Sequence, residues 1–211
     1  MTDADLRILP CGDAGVLVEL GSLDDVLALY AALVDEPPHG VVDLVPASRT
    51  LLLHLDPART TPQHVERAVR EVSPEYGHRP AGDTVEIPVV YDGEDLEAVG
   101  ELTGLGVDEL LRRHGEEEWT VAFCGFAPGF AYMVGSAYEW QVPRRSTPRT
   151  SVPAGSVGLA GEFAGIYPRE SPGGWQLVGT TEVKTFDLHR DPPALLPPGT
   201  RVRFVNVGSG P

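Results

Sequence analysis

Apolar and polar positions alternate at the start of the chain. The runs "LRILP" and "GVLVEL" read as two strands joined by the turn residues "CGDAG". The period then lengthens. In "SLDDVLALYAALVDE" the apolar residues Leu23, Val26, Leu27, Tyr30, Leu33 and Val34 recur at helical spacing, with Ser22 as N-cap and acids in the first turn. Pro37 and Pro38 end that helix. Two more strands follow, "VVDLVP" and "TLLLHLD", and Thr61-Pro62 opens a second amphipathic helix reaching about Val72. Strand-strand-helix-strand-strand-helix predicts a small α+β unit, a sandwich of helices on one face of a sheet.

The pattern breaks at "SPEYGHRPAGD", which is rich in Pro and Gly and poor in apolar residues. A domain boundary is therefore expected near Asp83, giving an N-terminal α+β domain over 1–83 and a second domain over 84–211. The second opens with a strand, "TVEIPVVYD", and two short helices, "DLEAVGELTG" and "VDELLRRHG". From Trp119 onward the helical period disappears. Short β-branched and aromatic runs remain between Gly/Pro turns: "WTVAFCGF", "TSVPAGSVGLAG", "WQLVGTT", "VKTFDL" and "TRVRFVNV". Many short strands so punctuated predict a closed barrel or a sandwich. The fold class expected is α+β.

Composition narrows the partners. With 16 basic and 31 acidic residues the formal net charge is −15. That argues against nucleic acid and anionic membrane, which both demand concentrated positive charge. No basic region followed by a long apolar run marks the start, and no apolar run is long enough to span a bilayer, so a cytoplasmic protein is expected. Cys11 and Cys124 read as two reduced thiols. Lys184 is the only lysine, preceded by Val183 where a phosphate-binding loop needs glycine. Its surroundings, an apparent strand, are not those of a biotinyl-lysine either.

Standard catalytic devices are missing. The six histidines are scattered without metal-binding spacing, so no metal site is assigned. "AGSVG" has Ala154 where a nucleophile elbow needs glycine. No catalytic residue is identified. Three stretches carry candidate binding chemistry instead. In "FCGFAPGFAYM", aromatic residues surround Gly125, Pro128 and Gly129, so Phe130, Tyr132 and their neighbours could wall a site or fill a small core around a turn. In "VPRRSTPRTSVPAGS", Arg144, Arg145 and Arg149 stand in a segment without acids, stiffened by Pro143, Pro148 and Pro153. Their guanidinium forks suit carboxylate or phosphate; a surface loop paired to the acidic body explains them equally well. Gly155 and Ser156 at its end could cradle an anion or form a plain turn. In "GIYPRESPGGWQL", Tyr167 and Trp175 flank Gly173-Gly174, a turn able to present backbone N–H groups. Together these suggest an aromatic-walled pocket with arginines at its mouth. Arg149, between Pro148 and Pro153, is the leading candidate for the ligand-binding charge.

The runs "GFAPGFAYM", "TPRTSVPAGSVGLAG" and "GIYPRESPGGWQLVG" resemble the hallmark segments of the 5-oxoprolinase B-subunit family, also called KipI-like or allophanate hydrolase subunit 1. "GDAGVLVELG", "VVDLVPASRTLLLHLDP" and "YDGEDLEAV" fall in family order, so the resemblance covers the whole chain. It implies a cyclophilin-like β-barrel after the α+β domain. It also implies two partners, a 5-oxoprolinase C subunit (allophanate hydrolase subunit 2) and an A subunit. That assembly opens 5-oxoproline to glutamate at the expense of ATP. The expected cofactor is ATP, with or without Mg2+; whether its site lies on this chain, on the partner or is shared between them is left open. Relatives include a histidine-kinase inhibitor and parts of urea carboxylase and allophanate systems, which are the alternative readings. No biotin is implied on this chain. Phe163-Ala164 stand where relatives carry Gln-Thr, and Ala131 replaces a proline, leaving the substrate open.

Overall fold

The structure, a computed structural model, describes residues 6–74 and 84–208. The chain forms two compact units, Met1–Pro80 and Ala81–Pro211; the boundary expected at Asp83 lies outside the described residues.

In the first unit β1 (Arg7–Pro10), β2 (Gly15–Glu19), β3 (Val41–Pro46) and β4 (Thr50–Leu55) make an antiparallel sheet in the order β1-β2-β4-β3. The register Val16↔Leu53 and Val18↔Leu51 puts these four side chains on one face. Helices α1 (Leu23–Val34) and α2 (Pro62–Glu71) cover it with Val26, Leu29, Leu33, Val65 and Val69. Their starts follow the sequence signals. The Ser22 hydroxyl accepts the Asp25 N–H at 3.2 Å, and the Thr61 hydroxyl accepts from His64 at 3.3 Å with Pro62 beside it.

The second unit contains β5 (Thr84–Val89), α3 (Leu96–Thr103), α4 (Val107–Glu116), β6 (Trp119–Cys124), β7 (Ala131–Gly135), β8 (Arg149–Val152), β9 (Ser156–Ala160), β10 (Phe163–Ile166), β11 (Ser171–Gly173), β12 (Gln176–Thr180) and β13 (Arg201–Asn206). Seven strands form a sheet in the order β12-β9-β10-β7-β6-β13-β5, and β8 pairs with β11 in a separate ribbon. All pairings are antiparallel except β13 with β5. Just beyond β5, Val90 exchanges hydrogen bonds of 2.9 and 2.8 Å with Thr180 at the end of β12. The two outer strands thereby meet, and the sheet closes as the expected barrel.

Two expected strands differ. "TSVPAGSVGLAG" divides at Pro153–Gly155 into β8 and β9, which belong to different sheets. "VKTFDL" makes a single bridge, Phe186 to Ala194, and no strand. The cause is topological: the barrel has closed at Thr180 and leaves this segment no edge to join. Lys184 accordingly lies in an exposed loop.

Alternation along the strands produces two apolar faces. Ala131, Met133, Val157, Leu159, Ala164, Ile166 and Val178 enter the main core. The residues between them, Tyr132, Ala160, Phe163 and Leu177, belong to a second cluster on the other face.

Candidate functional site

The second cluster is where the aromatic sequence runs converge. Between β6 and β7 the chain turns tightly: Gly125 N–H donates to Phe130 O at 3.2 Å, and Phe130 N–H donates to Ala127 O at 2.9 Å. Phe130, Tyr167 and Trp175 meet edge to face, with ring centroids 5.3 Å apart for Phe130–Tyr167 and 5.2 Å for Phe130–Trp175. Phe123 stacks on Tyr132 at 4.5 Å, and Phe163 closes on both. The floor beneath them is made by two glycines. Gly158 and Gly165 pair directly across β9 and β10. A methyl group on Gly165 would sit 2.9 Å from the Trp175 ring and 3.0 Å from that of Phe130. The two bare positions let the rings lie flat on the sheet.

These rings fill their own space. Phe123, Phe130, Tyr167 and Trp175 are buried, and the described cavities of about 610 and 210 Å³ are lined by other residues. The rings expected to wall a pocket do converge, and in this structure they pack edge to face as an aromatic face with an open rim. Phe126 stands on that rim, 57% exposed, with its ring edge on Phe130 and Tyr167. Its φ of +64° is one that side-chain-bearing residues rarely adopt.

Of the glycine turns, most are used internally. Gly155 N–H donates to Tyr167 O at 2.8 Å, and Ser156 N–H donates to Pro153 O at 3.3 Å. Ser156 itself is buried at the start of β9. The anion cradle suggested for that pair is thus occupied by the protein's own carbonyls. Gly173 lies in β11 opposite Arg149, and its Hα side is pressed by the Tyr167 hydroxyl, where any Cβ would overlap. Gly174 O accepts the Arg145 N–H at 2.8 Å. Gly129 packs against Phe186, and Pro128 is exposed.

The three arginines separate into two roles. Asp95, 4% exposed, accepts from Arg145 Nη1 at 2.5 Å and Arg149 Nη2 at 2.8 Å through Oδ1, and from the Leu177 N–H at 2.7 Å through Oδ2. Arg149 also reaches Glu94 at 3.1 Å and the Trp175 carbonyl at 3.4 Å. Its side chain is 14% exposed. Arg149 is therefore corrected from an open ligand-binding fork to an internal clamp tying β8 to β12 and to the start of α3. Burial raises the Asp95 carboxyl. The Arg149 hydrogen bond, the Leu177 N–H and the charges of both arginines outweigh burial and hold it below its ordinary 3.8. Arg144 is different. Its side chain is exposed and, among the described residues, makes no ion pair.

Tyr132 and Tyr167 report on this charge. Burial raises both phenols, and the nearby Arg144 guanidinium opposes the rise at each. At Tyr167 a hydrogen bond with the Trp175 backbone opposes it more strongly. Sequence reasoning misses Asp95. Its signal is there all the same: an acid opening α3 within "YDGEDLEAV", and an arginine segment lacking any local counter-charge. Asp95 caps α3 in position, but its carboxylate makes no cap bond and faces the arginines.

Fold and site together define a two-unit protein with a cyclophilin-like barrel whose outer aromatic face adjoins a basic segment in which Arg144, among the described residues, has no ion pair. Residues 6–196 match the family profile "Carboxyltransferase domain, subdomain C and D". The chain is 34% identical to the 5-oxoprolinase B subunit of Bacillus subtilis (strain 168), over 95% of this chain and 92% of that protein. It is 40% identical to the 5-oxoprolinase B subunit of Escherichia coli O157:H7, over 92% and 89%. The chain belongs to the 5-oxoprolinase B-subunit family of carboxyltransferase C and D domains. Among solved structures, TTHA0988 superposes with a TM-score of 0.75 at 39% identity, over 93% of this chain. This chain spans 41% of that longer one. The Kluyveromyces lactis urea amidolyase shares the fold, with a TM-score of 0.75 at 18% identity over 99% of this chain and 15% of that one.

Proposed function

We propose that this chain is the B subunit of an ATP-dependent 5-oxoprolinase, inactive alone and acting with a C and an A subunit. The observation that carries the reading is its end-to-end similarity to two proteins named as 5-oxoprolinase B subunits. The chemistry agrees with shared labour. An unstrained lactam resists water; transfer of the ATP γ-phosphoryl group to the lactam oxygen supplies a leaving group. Water then adds to the phosphorylated carbonyl carbon and the C–N bond opens to an acyl phosphate, γ-glutamyl phosphate. A second water cleaves it, giving glutamate and phosphate beside the ADP already formed. Such a reaction depends on positioning and charge stabilisation. The described aromatic face offers positioning groups. Two of its three arginines are neutralised internally, which leaves this face little free positive charge for a triphosphate, so we assign the ATP–Mg2+ site to a surface the partner completes.

The test is reconstitution. Each chain alone, each pair and all three are assayed for ATP-dependent glutamate release from 5-oxoproline, with urea and allophanate as competing substrates. Turnover of 5-oxoproline by the full set and silence of this chain alone is the expected result. Turnover of urea instead, or lactamase activity of the isolated chain, overturns the proposal.

A further inference from the structure

We propose that Arg144, with the Tyr132 hydroxyl, holds the carboxylate of a small lactam acid against the rim of the aromatic face, leaving the amide pointing outward. The proposal rests on the 5-oxoprolinase reading and adds which end of the substrate this chain reads.

Four observations support it. The basic segment has one uncommitted charge, since Asp95 takes Arg145 and Arg149 while the Arg144 side chain stays exposed and unpaired among the described residues. Its backbone is fixed on both sides: Gln176 Nε2 donates to Pro143 O at 3.1 Å, and Arg145 N–H donates to Gly174 O at 2.8 Å. A guanidinium so mounted loses less freedom on binding than one on a loose loop. Next, two phenols lie by the turn over residues 173–175, to which this segment is bonded. The Tyr167 hydroxyl is against Gly173 and the Tyr132 ring is 5.5 Å from that of Trp175, and the two are not equivalent. Tyr167 is buried and engaged with the Trp175 backbone, whereas Tyr132 is half-buried with no hydrogen-bond partner for its hydroxyl among the described residues. Last, Phe126 holds an exposed ring over Phe130 and Tyr167 in a left-handed backbone conformation. Strain of that kind collects where a side chain must be presented.

An arginine fork matches the two oxygens of a carboxylate, and a planar five-membered amide ring suits an aromatic wall. With the carboxylate bound here, the lactam N–H and C=O face away from the barrel, toward whatever delivers the phosphoryl group. Arg144 and Tyr132 then act as binding groups, and Asp95 as a residue that keeps Arg145 and Arg149 out of the subsite.

The experiment compares 5-oxoproline with 2-pyrrolidinone, which lacks the carboxylate, in the reconstituted complex. The expected result is that Arg144→Gln raises the KM for 5-oxoproline on the order of 10- to 100-fold, the value of a charge-assisted hydrogen bond. The melting temperature stays at the wild-type value, and the preference over 2-pyrrolidinone disappears. Arg144→Lys recovers part of the loss, Tyr132→Phe shows a smaller rise, and Arg67→Gln on α2 serves as the neutral control. An unchanged KM, or a preference for 5-oxoproline that survives in Arg144→Gln, overturns the subsite while leaving the 5-oxoprolinase reading intact. If the wild-type complex does not act on 5-oxoproline, that reading falls first. The subsite is then decided by NMR titration of the chain with 5-oxoproline and benzoate. Arg144-dependent shifts around Tyr132 and Trp175 uphold a carboxylate site for another small acid, and their absence overturns it.

Discussion

Asp95→Ala is the sharpest probe of how this face is held together. The substitution removes the acceptor of three donors at once: Arg145, Arg149 and the Leu177 N–H. Arg145 is 36% exposed at its side chain and can rehydrate. Arg149, largely buried, keeps Glu94 as a solvent-exposed partner, but the Leu177 N–H is left without an acceptor. Breaking a buried pair from one side costs about 3–5 kcal/mol, and the residual Glu94 contact places this site near the lower end, roughly 3 kcal/mol. For a chain of this size, each kcal/mol shifts the melting temperature by about 2–4 °C, so a fall of roughly 6–12 °C is expected. The second measurement is a double-mutant cycle with Arg149→Ala, read by urea unfolding, in which the two costs are strongly non-additive. The pH dependence has a defined sign. The folded carboxyl is held below its ordinary value, so its contribution is complete above about 3.8 and is lost as pH falls through the lowered folded value. Asp95→Ala should therefore flatten the acid limb of the stability curve. An unchanged melting temperature, or additive costs in the cycle, would refute the reasoning.

Arg149→Lys keeps the charge but loses the fork spanning Asp95, Glu94 and Trp175 O, and should destabilise by about 1–2 kcal/mol in urea unfolding; a neutral result would mean the clamp acts as a point charge. Gly165→Ala places a methyl against Trp175 and Phe130 and should cost about 1–3 kcal/mol while changing tryptophan fluorescence. Ser22→Ala removes the α1 cap and should cost about 1 kcal/mol, with unaltered spectra for the second unit. Burial pushes the His114 imidazole down to about 3, its Nδ1 at 2.7 Å from the Tyr91 hydroxyl. Its folded value is depressed, so the unfolded chain takes up the proton first, and stability falls as pH drops from about 6.5 toward 3. His114→Phe should remove that component from a urea-midpoint titration, and an unchanged slope would contradict it.

Much of the architecture is legible without coordinates. Helical spacing with Ser22 and Thr61-Pro62 marks α1 and α2, and alternation with Gly/Pro punctuation marks most strands, because local chemistry and tertiary context agree there. "VKTFDL" misleads for a non-local reason: its alternation suits a strand, but no edge remains after Thr180 meets Val90. The site is legible in its ingredients and not in their assignment. Aromatic runs and an acid-free arginine segment identify the face. Which arginine is free depends on Asp95, 50 to 54 residues away from its two partners along the chain, and sequence spacing does not reveal such a pairing. Flanking prolines favour Arg149 as the rigid ligand holder; rigidity there serves the clamp.

The pairing of β5 with β13 has a consequence for synthesis. Thr84 lies beside Arg201 and Val89 beside Asn206, so strands more than a hundred residues apart in sequence are parallel neighbours. β6 also relies on β13 for its outer partner. While the chain emerges from the ribosome, the first unit has all its strands and helices long before β13 exists. The second must wait with β5 and β6 unpaired along one side, an open edge able to recruit other strands. Non-local closure of this kind is slow as well as late. Nascent chains arrested before residue 200 should therefore give a protease-resistant first unit and a sensitive second, and should engage chaperones until the last strand is released.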